Sequence, residues 1–256
     1  GELYSQKGTF VTIDQISPNI QTAVVSTEDK RFYKHTGVDP IGIGRAAVGF
    51  VLNGGNIVGG GSTLTQQLAK NAYLTLDQTL IRKAKELFLA FEIESKYTKD
   101  EILEMYLNNA YFGSGVWGVE DASQKYFGKS ASEVSLSEAA VLAGILKSPS
   151  YYNPIDNYEA STDRRNTVLQ LLADNAFIDQ ATADAAMAED INVVSTYYAN
   201  SSYNYPYYFD AVIDEAVNTY GLDEVYMLKR GSEIYTGLDQ DYQLQMDNAY
   251  ANAYLP

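Results

Sequence analysis

The chain has 256 residues, 46% of them hydrophobic, enough for one large domain, or a domain plus an appendage, around a real core. It has no cysteine, which excludes disulfides and thiolate chemistry, and no apolar run reaches the ~20 residues of a membrane-spanning helix. The formal charge of −15 argues against nucleic acid as a partner. That charge is unevenly spread: residues 28–108 carry ten Lys/Arg and ten Asp/Glu, whereas residues 150–256 carry four against seventeen. The acidity belongs to the C-terminal part, where it serves solubility, and the candidate chemistry lies in the near-neutral stretch.

Helix signals dominate the chain. After a strand-like "GTFVTI" (residues 8–13), "SPNIQTAVVSTED" offers Ser17 as a cap, Pro18 at the first helical position and Ile20, Ala23 and Val24 at helical spacing. This helix is predicted to end on two carboxylates, Glu28 and Asp29, the wrong sign for a helix C-terminus. Lys30, Arg31 and Lys34 follow at once, so something other than solvation is being positioned there. "DPIGIGRAAVGFVLN" repeats the cap-and-proline device with Asp39 and Pro40, and "NGGNIVGGGS" is a glycine-rich loop. Residues 41–60 are apolar and glycine-spaced, too short to span a bilayer but able to lie in its interface.

"STLTQQLAKNAYL" is predicted to begin a helix at Ser62. "TLIRKAKELFLAFEIESKY" (residues 79–97) is the longest helical pattern, with Leu80, Ala84, Leu87, Phe88 and Phe91 expected at core spacing. Two capping boxes open the next helices, Thr98 with Glu101 and Ser135 with Glu138. "TDRRNTVLQLLADNAF" and "YFDAVIDEAVNTYG" are further amphipathic helices, and "GSEIYTGL" is a second strand candidate. From about residue 191 the chain becomes tyrosine-, serine- and asparagine-rich and then acidic, as expected of a linker.

The polar residues form a pattern. Glu86 follows the basic cluster Arg82, Lys83 and Lys85, and Arg82 at i−4 shares its helix face, which by itself is an ordinary ion pair. Thr63, Gln67, Lys70 and Asn71 recur every three or four residues, so one helix face presents hydroxyl and amide groups with a cation, a set suited to sugar or phosphate. A glycine-rich loop before a helix N-terminus also suits an anion. His35, the single histidine, has no Ser or Cys nucleophile signature beside it and reads as a structural hydrogen-bonding residue. "DQD" at Asp239–Asp241 lies in the acidic linker, and "SYN" at Ser202–Asn204 has no accompanying SxxK or KTG.

Five segments in order, "EDKRFYKHTG", "GGSTLTQQLAKN", "RKAKELFLAFEIE", "TKDEILEMYLNNAYFG" and "RRNTVLQLL", resemble the motifs of the glycosyltransferase family 51 domain. That domain is the peptidoglycan-polymerising module of class A penicillin-binding proteins. The likeness covers about residues 3–188 and extends to the segment between the last two motifs. It implies a mainly α, lysozyme-like helical two-lobed domain with a cleft over residues 1–190. Residues 191–256 would be a short linker with minor β, leading toward a transpeptidase domain that the chain does not contain.

The resemblance also implies an inverting transfer that polymerises lipid II into β-1,4 glycan and releases polyprenyl diphosphate. Glu28 would be the general base and Glu86 the second essential carboxylate. Lys70 and Arg82 would meet the diphosphate, Thr63, Gln67 and Asn71 would line the cleft, and Asp29, Phe32 and His35 would shape the first motif. It implies no obligatory cofactor, with room for a divalent cation (Mg or Mn) at the diphosphate. The implied partners are lipid II, the growing glycan, moenomycin-type inhibitors and, through residues 41–60, the outer face of a bacterial cell membrane. Two other readings stand beside it: a lytic enzyme on a similar fold, acting through a glutamate general acid, and a non-catalytic cell-wall scaffold.

Overall fold

The first helix, α1 (Pro18–Glu28), starts where its residue types require: Ser17 Oγ accepts the Asn19 N–H at 3.3 Å and Pro18 fills the first turn. The fold is that of a computed structural model, which describes residues 8–52, 61–73 and 80–194, together with Val212, Glu215, Thr219 and Tyr220. Residues Gln6–Ala199 form one compact unit, and Gly1–Ser5 with Asn200–Pro256 form another. The predicted linker, its strand at residues 231–238 and the helix at 208–221 lie, but for those four positions, outside the described residues.

Among the described residues of the first unit eight more helices follow α1: α2 (Pro40–Leu52), α3 (Leu64–Tyr73), α4 (Leu80–Lys96), α5 (Lys99–Asn109), α6 (Val119–Phe127), α7 (Leu136–Ile145), α8 (Tyr158–Asp174) and α9 (Gln180–Met187). Both predicted capping boxes are present, Thr98 with Glu101 on α5 and Ser135 with Glu138 on α7. Asp39 caps α2, accepting the Ile41 N–H at 3.1 Å, and Arg31 Nε holds the same carboxylate oxygen at 3.2 Å. Burial works against ionisation of Asp39. Hydrogen bonds from the Gly42 N–H, Arg31 and the Ile41 N–H outweigh it and hold the carboxyl below its ordinary range. The sequence reading missed α6 and α9. The N-cap of α6 is Gly118, with φ of 82° and no side chain to signal a start, and α9 is only eight residues long.

The helices pack in two groups. In one, α7 lies against α1, α8 and α9; in the other, α3 lies against α4 and α5; α6 touches both α5 and α7. Eight of the ten residues of α7 are buried, as expected of a helix apolar on every side. Its small residues let neighbours close in: a Cβ on Gly144 would sit 2.9 Å from Arg164 Cγ of α8. Arg165, on the next position of α8, is itself buried. It donates to the carbonyls of Met187 and Glu189 at the end of α9 and to Ser137 Oγ at the start of α7. Burial lowers its pKa, with Tyr158, Glu189 and Asp190 opposing. One guanidinium thus fastens three helices.

Two expectations are corrected. "GTFVTI" is not a strand: Asn108 of α5 takes the place of a strand partner, its side-chain amide accepting the Val11 N–H at 2.9 Å and donating to the Val11 carbonyl at 2.8 Å. Among the described residues the only β pairing is two isolated bridges, Thr36 with Val38 and Tyr111 with Trp117. The core face of α4 is also not the predicted one. Glu86, Ala90 and Ile93 are buried, whereas Ala84 is exposed and Phe88 and Phe91 are 70% and 52% exposed. Two apolar stripes compete on this helix, and only packing against α3 selects one.

Arg165→Lys keeps the charge but loses the fork that reaches two carbonyls and a hydroxyl at once. Its unfolding free energy in urea should fall by about 1.5–3 kcal/mol. An unchanged midpoint would mean that the three-helix clasp contributes nothing.

Candidate active site

Asp29 is the C-cap of α1, and it is buried. Its carboxylate lies against His35 Nε2 at 2.9 and 3.0 Å and accepts the Leu64 N–H, at the first position of α3, at 3.0 Å. An ionised carboxylate only accepts, so His35 Nε2 carries the hydrogen; its buried Nδ1 has no partner among the described residues. The negative side chain thus faces the positive N-terminal end of α3, which offsets its position at the negative end of α1. Thr63, capping α3, accepts the Gln66 N–H at 3.1 Å and donates its hydroxyl to Gly37 O at 2.6 Å. Gly37, with φ of 82°, tolerates no side chain, because a Cβ would lie 2.9 Å from Ala90 O of α4. Phe32 is fully buried, its ring under Lys99 Nζ at 4.4 Å and edge-on to Tyr33.

On this frame stand two glutamates. Glu28, the last residue of α1, accepts Gln67 Nε2 at 3.0 Å on Oε2, and Gln67 Oε1 in turn accepts the Tyr106 hydroxyl at 3.3 Å. Glu86 is buried; its Oε1 is bonded by Lys83 Nζ and by Gln66 Nε2, the latter at 3.2 Å. Lys83 also reaches Ser62 Oγ at 3.0 Å. Among the described residues the basic partner of Glu86 is Lys83, at i−3; the side chain of Arg82 lies outside them.

Glu28 borders two hollows. The larger, about 490 Å³, has Gln66, Gln67, Glu86 and the cations Lys70, Lys147 and Arg164 on its walls. The smaller, about 250 Å³, is bounded by Asp29, Asp39, Thr63, Lys30 and Arg45. Of the residues singled out in the sequence, Glu28, Glu86, Gln67 and Lys70 meet at the larger hollow. Phe32 and His35 lie beneath as support, and Asp29 and Thr63 reach the smaller hollow while bonded to the frame. Asn71 is part-buried and lines neither.

The sequence reading gave no site role to Gln66, Lys83, Tyr106, Lys147 or Arg164, although Lys83 stood in the basic cluster and Gln66, Tyr106 and Arg164 within the quoted motifs. Thr63-x-x-Gln66 is a capping-box pattern and could have marked Gln66 as a frame residue. Lys147 carries no local signal, and Arg164 opens "RRNTVLQLL"; both reach the hollow because α7 and α8 pack beside α1. Among the described residues no group of three or more His, Asp or Glu is placed to hold a metal ion.

The family model described as Transglycosylase matches residues 1–173. The chain belongs to that family. Penicillin-binding protein 2a of Streptococcus pneumoniae is 54% identical to this transglycosylase over 258 residues, covering 100% of this chain and 35% of that protein. Penicillin-binding protein 1A of Escherichia coli is 43% identical over 257 residues, covering 98% and 30%. A crystal structure of Penicillin-Binding Protein 1A from Haemophilus influenzae aligns over 88% of this chain and 23% of its own, at 26% identity and a TM-score of 0.46. The transglycosylase chain thus spans about a third of the length of the curated relatives it matches.

Asp29→Ala leaves two buried donors, His35 Nε2 and Leu64 N, without an acceptor. The unfolding free energy should fall by about 2–6 kcal/mol, at roughly 1–3 per orphaned group. Amide exchange at Leu64 should accelerate with it. Unaltered protection at Leu64 would show that α3 is held by something else.

Proposed function

We propose that this transglycosylase chain is a peptidoglycan glycosyltransferase that joins lipid II units into β-1,4 glycan. Family membership and relatives named as penicillin-binding proteins support the class. The observation that carries the reading is the position of Glu28: the residue lines both hollows, and its carboxylate takes a hydrogen bond from Gln67 on one oxygen. A base standing between two sites is what transfer between two substrates requires. Donor and acceptor each bring a diphosphate, and each hollow has cations to meet one: Lys70, Lys147 and Arg164 in the larger, Lys30 and Arg45 in the smaller.

In the transfer, Glu28 takes the proton of the acceptor's 4-hydroxyl as that oxygen attacks C1 of the donor's N-acetylmuramoyl unit. The bond from C1 to the polyprenyl diphosphate breaks on the opposite face, and C1 inverts. Lys70, with Arg82 from α4, offsets the charge that builds on the departing diphosphate. Glu86, held by Lys83 and Gln66, is the second carboxylate beside it. With Glu86 so engaged, a Mg or Mn ion would be held chiefly by the diphosphate's own oxygens. Moenomycin, a phosphoglycolipid, would compete for the same cations.

A lipid-linked substrate requires the site to meet a bilayer, which places the protein at the outer face of the bacterial membrane. Among the described residues no helix is long and apolar enough to cross it. The exposed apolar side chains Ile41, Ile43 and Val48 of α2 and Ile81, Phe88 and Phe91 of α4 offer an interfacial surface instead. The two helices come from adjoining frame segments, since Gly37, just ahead of α2, packs on Ala90 of α4. This extends the surface expected at residues 41–60, of which 53–60 lie outside the described residues.

Glu28→Gln should lower the rate of polymer formation from lipid II by ~10²–10⁴ while the melting curve stays in place. Near-normal turnover would sink the assignment, and release of fragments from mature sacculi without polymerisation would favour the lytic reading. Phe88→Ser combined with Phe91→Ser should cut liposome binding and activity on full-length lipid II with little change in thermal stability. Unfolding, with liposome binding kept, would move the membrane contact elsewhere.

A further inference from the structure

Three helices meet in one chain of hydrogen bonds. Tyr106 of α5 gives its hydroxyl hydrogen to Gln67 Oε1 of α3, and Gln67 Nε2 gives one of its own to Glu28 Oε2 of α1. We infer that Tyr106 is a positioning residue for the transfer: it fixes the Gln67 amide with its N–H toward Glu28 and so holds Glu28 in the ionised, proton-accepting form. The inference rests on Glu28 being the base.

The argument is one of donors and acceptors. A side-chain amide has one end that only accepts and one that only donates. With its oxygen turned toward Glu28, the amide would repel a carboxylate and suit a protonated Glu28, which has an O–H to give. With its nitrogen turned there, it suits the carboxylate. The two orientations fill nearly the same space, so packing alone does not choose between them. Tyr106 does, because a phenol that keeps its hydrogen needs the acceptor end. Tyr106 is buried, and burial together with the charge of Glu28 holds its pKa well above the ordinary value. It therefore stays a donor across the working range. Gln67 is only part-buried and lies on the wall of the hollow, where without Tyr106 it would be free to turn.

Other charges border Glu28 from the remaining elements: Lys30 and Asp29 beside it, Arg45 and Asp39 at α2, and Lys70, Glu86, Lys147 and Arg164 around the larger hollow. All of them stay in place when only Tyr106 or Gln67 is altered, so a change in pH response reports on the hydrogen-bond chain.

The test is a double-mutant cycle on purified protein, with lipid II polymerisation measured at saturating substrate from about pH 5 to 9. Tyr106→Phe should retain its melting temperature within a few degrees. Its kcat at neutral pH should fall roughly two- to tenfold, the weight of one neutral hydrogen bond, with KM unchanged and the acid limb of the profile displaced to higher pH. Gln67→Met should show at least that loss, and adding Tyr106→Phe to it should cost nothing more. An unmoved profile in Tyr106→Phe, or losses that simply add in the double variant, would overturn the inference. If Tyr106→Phe does not fold, the pH profile of Gln67→Met serves in its place: methionine adds no charge and has no N–H to give Glu28, and an acid limb that stays put would overturn the inference equally. Wild-type protein inactive on lipid II would overturn the glycosyltransferase reading and the inference with it. An active wild type with an unchanged Tyr106→Phe would overturn the positioning role alone.

Discussion

The carboxylate of Asp29 joins the end of one helix to the beginning of another, and the rest of the site depends on that junction. By accepting the Leu64 N–H it sets the N-terminus of α3 beside the C-terminus of α1. Two unlike helix ends then face each other, a favourable arrangement that a lone carboxylate at the end of α1 would lack. Glu28 precedes Asp29 by one residue and Gln67 follows Leu64 by three, so their side chains meet because the junction is made. His35 occupies the other side of the Asp29 carboxylate, which removes any need for it to take part in proton transfer.

Around this point the molecule places its two helix groups on opposite sides of the site. Glu28 comes from the group of α1, α7, α8 and α9, whereas Gln67, Lys70 and Glu86 come from α3 and α4. Shifts between the groups act directly on the Gln67–Glu28 bond. Each group also has internal ties: the Arg165 clasp in the first group, and in the second Thr65 Oγ1 donating to Glu94, which also pairs with Lys99. These interactions set the precision of the site without touching a substrate.

The surface of α4 divides into two stripes. One stripe of α4 is buried against α3 and carries Glu86. The adjoining stripe, with Ile81, Phe88 and Phe91, stays exposed. Leaving such side chains in water costs solubility, and their exposure fits the bilayer contact proposed above.

The sequence by itself determined the helical class and most helix starts, because caps such as Ser17–Pro18, Asp39–Pro40, Thr98–Glu101 and Ser135–Glu138 act through residues close in the chain. It also singled out the two glutamates and Lys70, through motifs in order, and the structure brings the three to one hollow. Tertiary structure decided the rest. Which apolar stripe of α4 is buried depends on α3, and whether residues 8–13 form a strand depends on an amide of Asn108, ninety-seven residues from Val11. Gln66 could have been read as a capping residue, but its bond to Glu86 could not. Tyr106 and Arg164 stand within motifs and Lys147 outside them, but only packing brings the three to Glu28 or its hollow. Local rules fix what a residue can donate, accept or cap; only the packing of distant helices fixes which group it meets.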